Sequence, residues 1–325
     1  MRFVFLALIQ MLMVSATIQG ALANGAPYVP ENAMGGIKFK NNEFISIEEE
    51  VLHIVKGNEH KESKIRVSYT FRSFASQPIT LDIAFPTARS DFEMGYEGGL
   101  DFKLTADGKD VTTKRRVVYF DTVSNKNHEA RDISSSLERA RISQSNINKG
   151  FYFSLSEEAK SILKEEGVQF SCQGDDDKTC WIGDTVQEVF TWQQVFKPGL
   201  TKIEVSYQPK EGEIYASSHE EAKDYRDMFC FDKPVELALI KPGRSWHGIT
   251  VGYIWDTARY WKGPIKNFHL IIEKGDPGDI VSYCPTVGRK ISPTRFEWHT
   301  TNFVPKGTLS VLFVTSVGDA SGARD

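Results

Sequence analysis

The chain has 325 residues, 40% of them hydrophobic and 25% charged, with four cysteines and a formal net charge of −4. That composition excludes whole-chain disorder and collagen-like repetition, and the length holds one large or two ordinary domains with ample apolar material for a core. With 39 Lys and Arg against 43 Asp and Glu, there is no broad positive surface to collect phosphates, and nucleic acid drops out as a partner class.

Arg2 precedes an apolar run from Phe3 to Val14, broken only by Gln10, and Ala21-Leu22-Ala23 follows. This is the layout of a cleaved secretory signal over residues 1–23: the run is shorter than the roughly 20 residues a membrane span needs, and the small side chains suit signal peptidase. Cleavage after Ala23 leaves a mature chain with no transmembrane segment, in a periplasmic or secreted, oxidising location.

Ile65, Val67, Tyr69 and Phe71 alternate with Arg66, Ser68, Thr70 and Arg72, and Ile79, Leu81, Ile83 and Phe85 repeat the pattern until Pro86. Period two with one apolar face predicts two strands, and the short link between them predicts an antiparallel hairpin. Asp107-Gly108, between Leu104 and Val111, predicts a tight turn. The stretch from Asn125 to Asn148 is rich in Ser, Asn, Arg and Lys and reads as a mobile excursion. Ser154-x-x-Glu157 has the form of a capping box, followed by an apolar stripe at Ala159, Ile162 and Leu163 and by Gly167 as a helix stop.

Strand patterning returns over Val189 to Phe196, turns at Pro198-Gly199 and resumes at Ile203, Val205 and Tyr207, which predicts a second hairpin. Ser218-x-x-Glu221 and Asp232-Lys233-Pro234 start two helices spanning about 218–241. Beyond Trp255 the pattern is β again, at Phe268, Leu270 and Ile272, then Phe296 and Trp298, then Leu309, Val311 and Phe313.

Four cysteines in an exported chain favour disulfides over metal ligation. Three connectivities are open. The preferred one joins Cys172 to Cys180 and Cys230 to Cys284, closing loops worth roughly 2.5 and 4 kcal/mol by loop entropy. A four-thiolate zinc site is the competing arrangement, but the spacing lacks any C-x-x-C pair.

Motifs with demanding spacing are missing. His219-Glu220 opens like a zincin helix but meets Lys223 where a second His is needed, and His128-Glu129 ends in Asp132. Gly243-Arg244-Ser245-Trp246-His247 lacks the final Gly of a nucleophile elbow and follows a helix, not a strand. Asp175, Asp176 and Asp177 could chelate calcium, though without the alternating ligand spacing of an EF-hand, and a solvated loop is the simpler reading. Asp276 and Asp279 around Pro277-Gly278 make a turn. The densest aromatic feature is Trp246, Trp255, Tyr260 and Trp261, with His247 beside the first. Such rings could stack on a small ligand, or they could fill the core, and the core is the preferred reading.

Several separated blocks carry a family pattern: Tyr260-Trp261-Lys262-Gly263-Pro264-Ile265-Lys266-Asn267-Phe268, Glu273-Lys274-Gly275, Val281-Ser282-Tyr283-Cys284 and Lys290-Ile291-Ser292-Pro293-Thr294-Arg295-Phe296-Glu297. Ala33-Met34-Gly35-Gly36-Ile37, Ile65 to Phe71, Ala84-Phe85-Pro86 and Trp192 to Tyr207 agree with it. Together they resemble the bacterial family catalogued as domain of unknown function 4424. The resemblance implies a signal-bearing envelope protein with cysteines at the positions of Cys230 and Cys284, which supports that pairing, and it supplies no reaction, cofactor or catalytic residue. Cys172 and Cys180 lie in an insertion outside the pattern.

The expected fold is mainly β with a few helices: two β-sandwich-like, immunoglobulin-like lobes over residues 24–125 and 186–317, a helical and flexible insertion over 126–185, and a tail over 318–325. The expected function is non-enzymatic binding of an envelope protein or small ligand, without a cofactor. The alternative is an envelope hydrolase or carbohydrate-active enzyme whose site is assembled only by folding, recognisable as a concave pocket in which a His meets carboxylates.

Overall fold

The computed structural model describes residues 25–29, 38–58, 62–91, 100–121, 131–142, 155–173, 179–182, 185–285 and 288–319. They are mainly β, with four α-helices among the described residues. Strands Ile45–Val55, Lys64–Ser73, Lys103–Ala106, Gly199–Tyr207, Ile265–Glu273 and Arg295–Phe303 belong to an eight-stranded sheet. A seven-stranded sheet is centred on Lys114–Asp121, Thr185–Phe196 and Ile79–Pro86, and a four-stranded sheet holds Glu211–Ala216, Arg244–Ile254, Thr308–Asp319 and Ile280–Tyr283.

The two expected hairpins are sheet crossings. Lys64–Ser73 pairs with Ile45–Val55 and Gly199–Tyr207, whereas Ile79–Pro86 pairs with Thr185–Phe196 in the other sheet. Likewise Thr185–Phe196 and Gly199–Tyr207, on either side of Pro198, lie in different sheets. The alternation tells which residues are buried, and each link folds one apolar face over the other instead of extending a ladder. Phe71 on one side and Phe196 on the other meet at 5.5 Å between ring centroids. The turn at Asp107 and Gly108 forms as expected, both residues taking positive φ, 49° and 76°, and it joins two paired strands.

The inner face of the eight-stranded sheet packs on the other two through a common core that includes Leu52, Ile54, Val67, Tyr69, Phe71, Phe85, Trp192, Phe196, Tyr253, Phe268 and Phe313. The lobe boundaries expected near residues 125 and 186 do not follow these sheets. Ile265–Glu273 runs parallel to Ile45–Val55, with Leu270 opposite Leu52, so both halves of the chain share one ladder.

All four helices pack on the two smaller sheets. Glu157–Glu165 is capped by Ser156, whose side chain accepts from the Ala159 N–H; Ser154, the expected cap, lies outside the described residues. The segment read as an excursion holds a short helix, Ser134–Arg139, whose Leu137, with neighbouring Ile133 and Ile142, joins Val117, Tyr119 and Val186 in a second core. A few apolar residues at helical spacing suffice there. His219–Met228 is capped by Ser218, and Lys233–Leu239 by Asp232 with Pro234 in its first turn, as expected. These two cover the four-stranded sheet, where Phe229, Val235 and Leu239 pack on Trp246 and Leu312. The Cys230–Cys284 disulfide, with Cα atoms 5.3 Å apart, ties the end of the first of them to that sheet. No helix among the described residues is long and apolar enough to cross a membrane.

Candidate functional site

With the helices placed elsewhere, the outer face of the eight-stranded sheet carries its own side chains. A register shift between Ile47 and Glu49 marks a bulge in Ile45–Val55. It changes which alternate residues point inward: Ile45 and Ile47 are buried before it, Glu50, Leu52 and Ile54 after it. Val51 and His53 are thereby turned to the outer face.

Cross-strand register then assembles two rows over the width of the sheet. In the first, Glu297 is opposite Ile271, Ile271 opposite His53, His53 opposite Arg66, Arg66 opposite Ser206 and Ser206 opposite Lys103. In the second, His299 is opposite His269, His269 opposite Val51, Val51 opposite Ser68, Ser68 opposite Glu204, Glu204 opposite Thr105 and Thr105 opposite Asp110. Neighbouring strands lie about 4.8 Å apart, so the first row, over six strands, spans roughly 24 Å and the second, over seven, roughly 29 Å.

The middle of these rows forms a groove of about 740 Å³, lined by Val51, His53, Arg66, Ser68, Lys103, Thr105, Asp110, Glu204, Ser206 and Ile271, among others. Val51 and Ile271 give it apolar surface. Lys103 is held by Asp101 at 3.0 Å and Glu204 by Lys202 at 2.8 Å, whereas Arg66 and Asp110 make no ion pair among the described residues. On its wall the buried Thr105 Oγ1 has no hydrogen-bond partner among the described residues, and the buried His53 Nε2 faces Glu273 Oε1 at 3.4 Å, longer than a normal hydrogen bond. Burial pushes the His53 imidazole below its ordinary pKa, the Glu273 carboxylate 3.4 Å away opposing this and Arg66 and Arg295 reinforcing it.

Beyond Ile271 the rows end in a polar cluster. Arg295 donates from Nε to Glu297 Oε1 at 2.6 Å and from Nη1 to Glu273 Oε1 at 2.8 Å. The His269 and His299 rings stack with centroids 3.6 Å apart. Glu297 Oε2, the oxygen Arg295 leaves free, lies 3.3 Å from His269 Nε2 and 3.4 Å from His299 Nε2. Arg295, Glu297 and His299 alternate with Phe296 and Trp298, and this period-two pattern was the only sequence signal for the cluster.

The residues singled out from sequence lie elsewhere. Trp246, Trp255 and Trp261 are buried, at 1%, 4% and 4% exposure. Trp246 packs beneath the helices on the four-stranded sheet, while Trp255 and Trp261 belong to the main core, so the rings form no common binding face. Trp261 Nε1 donates to the Gly25 carbonyl at 2.8 Å and Trp255 Nε1 to that of Lys306 at 3.1 Å, which are structural anchors. Tyr260, half-buried, stacks on Phe39. His247 sits on the four-stranded sheet, 3.7 Å from Glu213. His219 and Lys223 both pair with Glu220 on the surface. Cys172 and Cys180 occupy opposite register positions of a two-stranded ladder, their side chains lying outside the described residues, as do Asp175 to Asp177 and His128. Asp276 closes the expected turn by accepting from the Gly278 N–H, and the buried Asp279 pairs with Lys56 at 3.5 Å.

A family model described as a domain of unknown function, DUF4424, matches residues 29–312. No curated protein sequence matches the chain. Among solved structures, a Legionella pneumophila protein provisionally described as nutrient-binding is 13% identical with a TM-score of 0.42, covering 90% of this chain and 72% of its own. Native leukotriene A4 hydrolase from Saccharomyces cerevisiae is 8% identical with a TM-score of 0.32, covering 83% of this chain and 29% of its own. Likenesses this weak do not bear on what this chain binds.

Proposed function

Since this chain belongs to the family described as domain of unknown function 4424, whose membership brings no reaction with it, we propose a function from the geometry: a non-enzymatic binding protein of the cell envelope that holds a small, extended organic acid in the groove of the eight-stranded sheet. The observation that carries this reading is the groove itself, with apolar surface from Val51 and Ile271 and the Arg66 guanidinium, which makes no ion pair among the described residues. A site that joins apolar surface to a few placed polar groups suits a solute with an apolar body and one charged end. Arg66 receives the carboxylate as a bidentate partner, Thr105 Oγ1, which has no hydrogen-bond partner among the described residues, takes up a further bond, and Ser68 and Ser206 stand between them.

Location outside the cytoplasm rests on the signal-like residues 1–23 and is supported by the Cys230–Cys284 disulfide, a bond that persists where thiols are not kept reduced.

The test is calorimetric titration of the purified chain with a panel of acidic, neutral and basic solutes of matched size. The reading expects saturable binding of acidic members only, weakened at least tenfold by Arg66→Met and unchanged by Arg226→Met on the distant helix. Binding that ignores charge, or that survives Arg66→Met, overturns the groove assignment. Catalytic turnover of any bound member overturns the non-enzymatic reading in favour of a hydrolase.

A further inference from the structure

The cluster at the end of the two rows is held by unusually long polar contacts. An N–H···O bond settles at 2.7–3.2 Å, yet Glu297 Oε2 stands 3.3 Å from His269 Nε2 and shares only a long, 3.4 Å hydrogen bond with His299 Nε2. His269 Nε2 is buried and, among the described residues, has no hydrogen bond shorter or better aligned than this contact. Meanwhile the other carboxylate oxygen is fixed by Arg295, so Oε2 keeps its aim.

These distances match a different arrangement. Zinc binds imidazole nitrogen and carboxylate oxygen at about 2.0–2.2 Å with tetrahedral angles, which places neighbouring donor atoms about 3.3 Å apart. Two of the three edges of such a site are already at that length, and all three donors lie within 4.8 Å of one another, so turning the two imidazoles out of their stack would aim all three donors at one ion. We propose that His269, Glu297 and His299 form a binding site for a zinc-type divalent transition cation. Two His and one Glu form a donor set of open zinc sites, whose fourth position is left to water or a ligand. Exposure on the His299 side, 64% for its side chain against 22% for His269 and 19% for Glu297, leaves that position accessible. Arg295 acts as the positioning residue, since outer partners that orient a ligating carboxylate govern affinity as well as the ligands do. Backbone register supports the set: His269 and His299 are directly opposed, and Glu297 lies two residues before His299 on the same face.

The experiment is titration of the untagged, chelator-stripped chain with Zn²⁺ followed by calorimetry, and with Co²⁺ followed by its ligand-field absorption, in the absence of any organic solute so that the outcome is independent of the groove reading. One equivalent of each metal should bind, with Co²⁺ bands of four- or five-coordinate geometry. His299→Ala, at an exposed position, and Glu297→Gln should each weaken binding at least tenfold, while His219→Ala on the helix surface leaves affinity and stoichiometry unchanged. Circular dichroism of each variant verifies that it is folded. Absence of saturable binding at millimolar metal, or binding that both cluster substitutions leave intact, overturns the site.

Discussion

Replacing Tyr253 with Phe removes one oxygen from the middle of a buried relay. The Tyr253 hydroxyl donates to Glu50 Oε1 at 3.2 Å and lies 2.8 Å from the Tyr69 hydroxyl, and the three residues are 0%, 0% and 3% exposed. Burial, reinforced by the Glu50 charge, holds both phenols well above their ordinary pKa, so both remain protonated donors. The relay pins Ile45–Val55 just after its bulge to the facing strand Arg244–Ile254, and so fixes the parity that presents Val51 and His53 to the groove. Phenylalanine fills the same volume, so no cavity adds to the cost. What is lost is one hydroxyl–hydroxyl bond and one bond to a buried carboxyl group, together about 2–4 kcal/mol. Urea unfolding followed by tryptophan fluorescence should show a lower midpoint at unchanged slope. A loss below about 0.5 kcal/mol, the range of an ordinary surface change, would refute the relay and with it the explanation of how the bulge is held.

Three further outcomes follow from the same structure. Cys230→Ser with Cys284→Ser opens a loop of 54-residue separation and should cost about 4 kcal/mol by loop entropy, measured as the fall in urea midpoint against the oxidised parent. Trp261→Ala removes a core indole and its bond to Gly25; a loss of about 3–5 kcal/mol is expected with groove affinity unchanged in the folded fraction, and a folded, stable variant that had lost binding would restore the aromatic segment as a ligand site. His53, pushed down by burial, should titrate in NMR below the usual imidazole value of 6.5. Since its folded pKa lies below the unfolded one, its contribution is whole above pH 6.5 and is lost as pH falls through the folded value; His53→Gln should flatten stability over that window, and titration at or above 6.5 would refute the burial argument.

Alternation read the strands well because burial on one face is a local property: Ile65 to Phe71 and Ile203 to Tyr207 are core positions as expected. The caps at Ser218 and Asp232 were equally legible, since the side chain that ends a helix lies within three residues of the N–H it satisfies. The same reasoning misassigned both hairpins, because an apolar face does not say which sheet it will meet. It also overlooked the outer face of the eight-stranded sheet. His53 and Arg66, and His269 and His299, are opposed across antiparallel pairs, and the two sets are joined on one face only through the parallel pairing of Ile265–Glu273 with Ile45–Val55.

Taken alone, the sequence determined a mainly β fold, the helix starts at Ser218 and Asp232 and, with the family resemblance, the Cys230–Cys284 pair; these follow from period, capping and an even cysteine count, which act over short range or are shared across the family. Only the tertiary structure decided which strands cross between sheets, that the tryptophans belong to the core, and that a bulge turns His53 outward. Those outcomes depend on register between distant segments, where a slip of one residue exchanges the buried face for the exposed one.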